Sequence, residues 1–446
     1  MKRYISLFCV LAVVCCFSGC EPIFSSPEDN LRPPLAAGFF EGVNEALESS
    51  VGTDIVLKYP LSDGSRSAFC ALDIDGDGTK EVLAFYSENK ELATPHLNIL
   101  KLNSSKEWES IQDIESVGSE ITEIDFGDLD GDGIDELFVG SSNYTTKANM
   151  MGIYHIENGI LTQRAMEQYS KYRICDIDNN GTDNLVIALA DQLNKNAKFS
   201  VFGFTNNKFT LLGSTALDSS ITAFSNINCG KLSSNIHAVF LDGNKGTETL
   251  VTEVVYYNGK EFISYFLDKT TLSNNATLRH SSLISCDIND DGFIDIPVGI
   301  PSQGTSNTIS NSTNELIKWI TFDAKNNPQI FTAWYSVTDG YYLTFSNEWI
   351  NNISITYDDS LGMAMFNRFD KNTGSTAGEF LRIRKIDASE WNNSPPEKYI
   401  KIAERENSVW IARLSNPQSP LYIDRDTLLQ RFRLIEPSDP FIAVKS

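Results

Sequence analysis

Four times along this chain an apolar run breaks off into a nine-residue polar segment and then resumes. The polar segments are residues 73–81 (DIDGDGTKE), 128–136 (DLDGDGIDE), 176–184 (DIDNNGTDN) and 287–295 (DINDDGFID). The runs behind them cover 82–86, 137–139, 185–189 and 296–300, and those ahead include 68–72 and 283–285. Short apolar runs bounded by Gly, Asn and Asp read as strands. Each copy is therefore predicted as strand, acidic loop, strand. A further copy at 230–241 (GKLSSNIHAVFL) keeps the flanking hydrophobic positions and has lost every acid. Counted from residues 73, 128, 176, 231 and 287, the steps are 55, 48, 55 and 56 residues. A period near 50 indicates a repeat architecture. About three more short strands fall in each repeat, for example 98–102 with 108–114 and 199–204 with 208–212. Four short strands per repeat make a β-propeller blade, so the chain is predicted mainly β, with about five blades over 37–335. The run at 54–59 is expected to supply the outer strand of the last blade, closing the ring and removing exposed sheet edges. Residues 39–50 have helical spacing and predict a short helix.

The acidic period stops near residue 336. Strands are predicted at 341–345, 353–357, 363–366 and 380–385, a hairpin at 399–405 and 408–414, and a helix over 424–434. Residues 336–446 are thus expected to form a small α+β domain.

The acids alternate for a chemical reason. Calcium takes six to eight hard oxygen ligands at about 2.3–2.6 Å. Carboxylates at positions 1, 3 and 5 of a tight loop converge on one point, position 7 adds its backbone carbonyl, and position 9 closes the shell. Glycine at position 6 permits the sharp turn. The first loop offers Asp73, Asp75, Asp77, the Thr79 carbonyl and Glu81. The second offers Asp128, Asp130, Asp132, the Ile134 carbonyl and Glu136. The third offers Asp176, Asp178, Asn180, the Thr182 carbonyl and Asn184, and the last Asp287, Asn289, Asp291, the Phe293 carbonyl and Asp295. By ligand charge the first two should bind most tightly and the Asp176 loop most weakly. An Asx-rich turn without an ion is the alternative reading. An EF-hand would need Glu at position 12, and those positions hold Ala84, Val139, Ile187 and Val298.

Loops that close at position 9 between strands resemble the FG-GAP or VCBS repeats of integrin-like propellers. Residues 127–140 (GDLDGDGIDELFVG) follow that pattern throughout, and the missing Phe-Gly-Gly-Ala-Pro element fits the VCBS branch better. The resemblance implies a calcium-bound propeller.

Ahead of the repeats, Lys2 and Arg3 precede an uncharged apolar run at 5–17, followed by Ser18, Gly19 and Cys20. That is a secretory signal, too short for an ordinary spanning helix. Its end resembles the lipobox of bacterial lipoproteins, which implies cleavage after residue 19 and a lipid on Cys20, with 20–36 as a flexible tether. The mature chain is also similar to lipoproteins of Clostridia-type bacteria. Loss of Lys2 and Arg3 takes the formal charge from −23 to −25, which argues against nucleic acid and anionic membrane surfaces as partners. The cysteines left are Cys70, Cys175, Cys229 and Cys286, too few for a disulfide scaffold and read as small apolar packing residues.

The histidines, His96, His155, His237 and His280, show no metal-pair or catalytic spacing. The chain is accordingly expected to be a non-enzymatic binding, adhesion or scaffold module for a protein or glycan at the cell surface. The alternative is a carbohydrate-acting enzyme or accessory module.

Overall fold

The computed structural model describes residues 40, 42–60, 67–74, 76–90, 94–143, 148–157, 159–304, 315–321, 329–415 and 421–442. The signal, Cys20, the tether and Asp75 lie outside them. The chain divides into two compact units, residues 1–73 with 78–115, and 74–77 with 116–446.

In the first unit, helix α1 (Val43–Val51) precedes β1 (Ile55–Leu57), β2 (Phe69–Leu72), β3 (Glu81–Glu88), β4 (Pro95–Leu102) and β5 (Trp108–Glu115). Val43 and Leu47, four apart on one helix face, pack against Val82, Ala84, Tyr86 and Leu100 of the sheet. The expected closing strand is placed differently. β1 pairs antiparallel with residues 86–88 of β3, while β2 pairs with 81–84 of the same strand. β3 is twice as long as β2, so its far half has backbone groups for β1 to satisfy. The segment at 54–59 therefore belongs to the first sheet and not to the last.

The second unit repeats the antiparallel pattern. Its first sheet is β6 (Glu120–Gly127), β7 (Glu136–Ser142), β8 (Asn149–Glu157) and β9 (Ile160–Tyr169). The next is β10 (Lys171–Cys175), β11 (Asn184–Asp191), β12 (Asn196–Thr205) and β13 (Lys208–Ala216). Then come β14 (Ile221–Ser233), β15 (Ile236–Lys245), β16 (Leu250–Tyr257) and β17 (Phe262–Ser264). The acid-free copy is the β14–β15 hairpin, with Ser233 paired to Ile236 around a two-residue turn. After β18 (Asp295–Pro301), β19 (Glu315–Thr321), β20 (Gln329–Ser336) and β21 (Tyr341–Phe345), the chain builds a five-stranded sheet. It holds β22 (Ile353–Asp358), β23 (Met363–Asp370), β24 (Ser375–Asp387), β25 (Ile400–Arg405) and β26 (Ser408–Leu414). β27 (Phe432–Leu434) then returns to pair with β21.

This return changes the expected boundary at 336. β20 and β21 are hydrogen-bonded neighbours, with Ser336 paired to Tyr341. The sequence break marks where acidic loops stop, and the strand pairing runs across it. Phe441 also packs with Trp319 and Tyr335. Residues 347–431 are thus an excursion from the β18–β21 sheet. Their helices, α2 (Asn347–Ile350), α3 (Ala388–Asn393) and α4 (Arg425–Arg431), are short, and the region is mostly strand. The helix expected to 434 ends at Arg431, where β-pairing takes over.

The strands behind the first three acidic loops are buried on both faces, through residues 81–87, 136–141 and 184–188, and β18 behind the fourth is buried through 295–297, whereas β5 alternates half-buried and exposed. That gradient explains why the runs after the loops read as unbroken apolar sequence. Within the second unit the cores join sheet to sheet. Phe138 and Ile153 meet Leu185 and Phe202; Val186 and Phe199 meet Val239 and Val251; Phe240 and Val254 meet Ile296; Trp334 meets Phe366 and Trp410.

Two cysteines read as packing residues are bonded instead. Cys175 at the end of β10 and Cys229 in β14 form a disulfide between adjacent sheets. Cys70 and Cys286 are free thiols.

Buried Glu253 on β16 accepts hydrogen bonds from the Asp218 amide and the Ser264 hydroxyl at 3.0 and 2.6 Å. Burial outweighs these donors and pushes its carboxyl up from 4.5 to about 7. Between those values the folded chain holds a proton that the unfolded chain has released. Stability therefore falls as pH rises through that window, by about 3 kcal/mol for such a shift. Glu253→Gln should remove that slope. Urea unfolding of both proteins from pH 4.5 to 7.5, in excess calcium, should show curves that diverge; parallel curves would contradict the assignment.

Candidate cation-binding loops

Strand register builds the loops. In every copy the residue before position 1 pairs across the hairpin with position 9: Leu72 with Glu81, Gly127 with Glu136, Cys175 with Asn184 and Cys286 with Asp295. Position 9 is thereby fixed at the neck, and all four side chains there are buried.

Inside the loop the hydrogen bonds repeat. The glycine N–H at position 6 donates to the second oxygen of position 1 at 2.7–3.0 Å, in Gly78 to Asp73, Gly133 to Asp128, Gly181 to Asp176 and Gly292 to Asp287. These glycines have φ of +83° to +90° with open space around a built Cβ, so conformation and not room requires glycine. Position 4 is also left-handed, as Gly76, Gly131, Asn179 and Asp290, a constraint the sequence reading omits. The N–H of position 7 donates to the side chain of position 5 in Ile134, Thr182 and Phe293 at 2.8–2.9 Å. The N–H of position 2 reaches position 9, from Leu129 to Glu136 at 2.8 Å and from Ile288 to Asp295 at 3.1 Å.

Among the described residues two overlapping groups could hold a metal ion: Asp128, Asp130 and Glu136; and Asp130, Asp132 and His155, the ligand atoms of each group lying within 4.8 Å of one another. Burial pushes the carboxyls of Asp130 and Glu136 above their ordinary values. In the Asp287 loop burial lifts Asp295 to about 6, against hydrogen bonds from Thr321 and Ile288. In the Asp176 loop burial, and then neighbouring Asp176, raise Asp178. Such carboxylates are costly to ionise together without a cation. The Asp176 loop carries the least charge, yet two of its buried oxygens, Asp178 Oδ1 and Asn184 Oδ1, have no hydrogen-bond partner among the described residues. Buried oxygens without donors at positions 3 and 9 are suited to holding a cation. In the Asp73 loop the described residues include Asp73, Asp77, Thr79 and Glu81.

Neighbouring copies are joined at position 1. The Asp128 carbonyl accepts the Asp183 N–H at 3.2 Å, the Asp176 carbonyl meets His237 Nδ1 at 3.0 Å, and the Lys231 carbonyl accepts the Ile294 N–H at 3.4 Å.

A third-strand residue also faces each position 9. Asp295 pairs with Thr321 directly. One step along from Val82–Leu100, Leu137–Tyr154 and Leu185–Phe202, the same register places Lys101, His155 and Gly203 opposite Glu81, Glu136 and Asn184. Lys101 Nζ lies 3.2 Å from Glu81, His155 Nδ1 2.8 Å from Glu136, and Thr321 Oγ1 donates to Asp295 at 2.8 Å. Sequence reading leaves these residues out, because their distance along the chain from position 9 varies with the intervening turn.

Residues 73–139 match the FG-GAP-like repeat. That stretch runs from the Asp73 loop through the Asp128 loop, and it supports a propeller repeat there. Each sheet remains open among the described residues. No curated protein matches the sequence. Among solved structures the chain is similar to the exotype rhamnogalacturonan lyase YesX, at 9% identity and TM-score 0.28 over 72% of this chain and 83% of that one. It is similar to the Bacillus licheniformis rhamnogalacturonan lyase PL11, at 11% and 0.30 over 73% and 72%. It is also similar to the Dos1 propeller, at 8% and 0.32 over 80% and 81%. The expectation that the chain is not an enzyme is withdrawn on the lyase findings; at these TM-scores the likeness assigns it no reaction.

Away from the loops, a cavity of about 500 Å3 in the second unit is lined by residues including His280, Glu315, Asp339 and Tyr357. Glu315 there is engaged by the backbone N–H groups of His280 and Ser281, at 3.0 Å each. Asp339 accepts from Ser336 and Tyr357 at 2.8 and 2.5 Å.

Proposed function

We propose that this chain is an exported FG-GAP-type β-propeller protein that holds calcium in its acidic loops and is tethered to the membrane by a lipid on Cys20. On this reading it acts at the cell surface as a binding, adhesion or scaffold module for a protein or glycan. The observation that carries the calcium reading is the repeated loop geometry, together with the bare buried oxygens of Asp178 and Asn184. The donors are carboxylate, amide and carbonyl oxygens, which suit a hard cation. The Cys175–Cys229 disulfide supports export, since such bonds persist in oxidising compartments. Calcium would neutralise the packed carboxylates and join strand to strand across each hairpin neck.

Calorimetric titration of the chelator-treated chain with calcium tests this. Each site held a hundredfold above its Kd should add about 2.7 kcal/mol to stability. The melting temperature should rise by several degrees, and Asp128→Asn and Asp287→Asn should each remove part of the heat. A titration without heat and without a melting shift would refute the reading.

A further inference from the structure

We propose that His155 is a metal ligand, and that it makes the Asp128 loop a mixed nitrogen–oxygen site for a borderline divalent cation such as zinc. The proposal rests on the reading of the loops as cation sites and adds which cation each one prefers.

The four loops differ at one register position. Opposite position 9 the four copies carry an ammonium (Lys101), an imidazole (His155), no side chain (Gly203) and a hydroxyl (Thr321). Only the imidazole offers a nitrogen lone pair: an ammonium has none, and it opposes a cation by its charge. The hydroxyl keeps its site all-oxygen.

His155 is well placed to ligate. Its side chain is 8% exposed. Nδ1 lies 2.8 Å from Glu136 Oε1 and 3.8 Å from Asp130 Oδ2, so it points at the oxygens that would form the shell. A metal with bonds of about 2.0–2.2 Å holds its ligand atoms up to about 4.4 Å apart. The group of Asp130, Asp132 and His155 lies within 4.8 Å, so a shift of a few tenths of an ångström brings it into range. The imidazole would bind through Nδ1 with its proton on Nε2. Nitrogen donors favour zinc, copper and related ions, whereas carboxylate and carbonyl oxygens suit calcium and magnesium. His237 supplies the internal control. It contacts the Asp176 loop through the backbone carbonyl of position 1, outside the carboxylate ring.

The test uses the full chain, stripped by chelator and loaded with manganese. Pulsed electron paramagnetic resonance should show nitrogen coupling to the bound ion. That signal should vanish in Asp132→Asn and in His155→Gln and persist in Asp176→Asn. His155→Gln should weaken zinc binding by at least about tenfold while changing calcium affinity far less. Thr321→His should add a second nitrogen-coupled site at the Asp287 loop, which tests the rule even if His155→Gln folds poorly. Manganese that is lost in Asp132→Asn but shows no nitrogen coupling in the wild type would overturn the proposal, leaving His155 as a hydrogen-bond partner of Glu136. If Asp128→Asn and Asp132→Asn leave both calcium and manganese binding untouched, the cation reading of this loop fails, and the proposal with it.

Discussion

Arg279→Met is expected to cost about 3–5 kcal/mol, the penalty for leaving one partner of a buried ion pair without the other. Arg279 and Asp242 are both fully buried, and Nη2 lies 2.7 Å from Asp242 Oδ1. The carboxylate is enclosed by further donors: Thr252 Oγ1 at 2.6 Å, Asn226 Nδ2 at 2.9 Å, and the Ser285 N–H and hydroxyl at 2.9 and 2.8 Å. The guanidinium is equally engaged. Nε donates to the Leu283 carbonyl at 2.8 Å, and Nη1 reaches Thr252 Oγ1 and the Thr277 and Pro297 carbonyls. The cluster joins the β14–β17 sheet to the segment leading into the Asp287 loop. Removing the cation strands a carboxylate where water cannot reach it. The double variant Arg279→Met with Asp242→Asn should recover part of the loss, because no unpaired charge then remains. Denaturant unfolding of the wild type and the two variants measures this; a loss below about 1 kcal/mol for Arg279→Met would show the pair to be dispensable.

Cys175→Ser with Cys229→Ser should lower stability by about 4 kcal/mol, the loop-closure value for a cross-link of this span. The bonded residues are 54 apart and join the first strands of adjacent sheets. The bond adjoins the one repeat whose loop has shrunk to a two-residue turn, where no ion can brace the strands. Reduction should reproduce the effect in the wild type and do nothing in the double variant. Urea midpoints with and without reductant test both statements. Equal midpoints for wild type and double variant under oxidising conditions would refute the contribution.

Much of this was legible in the sequence because two signals agree. The Asp-rich segments give the hairpin positions, and the apolar runs behind them are unbroken because those strands are buried on both faces. The strand pairs at 98–114 and 199–212 followed from the same alternation. What escaped depends on partners distant along the chain. β1 could be assigned to any edge with free backbone groups, and only pairing puts it on β3. Tyr341–Phe345 looked like the start of a new domain because it follows the last acidic loop, yet it pairs with β20. Cys175 and Cys229 occupy ordinary strand positions, and nothing local marks them as facing each other. His155 shares its register slot with a lysine, a glycine and a threonine, so no motif can reveal it.

The joints between copies have an evolutionary consequence. On the accepting side each is a main-chain carbonyl, of Asp128, Asp176 or Lys231. Substitution at that position leaves the carbonyl in place, whatever side chain follows. The copy at 230–241 shows the outcome: it has shed its acids and still receives the Ile294 N–H as Asp128 receives that of Asp183. A duplicated unit of this kind can drift in ion affinity, or abandon the ion, without losing its seat beside the next unit. Metal content can therefore diverge among descendants faster than the architecture that holds them.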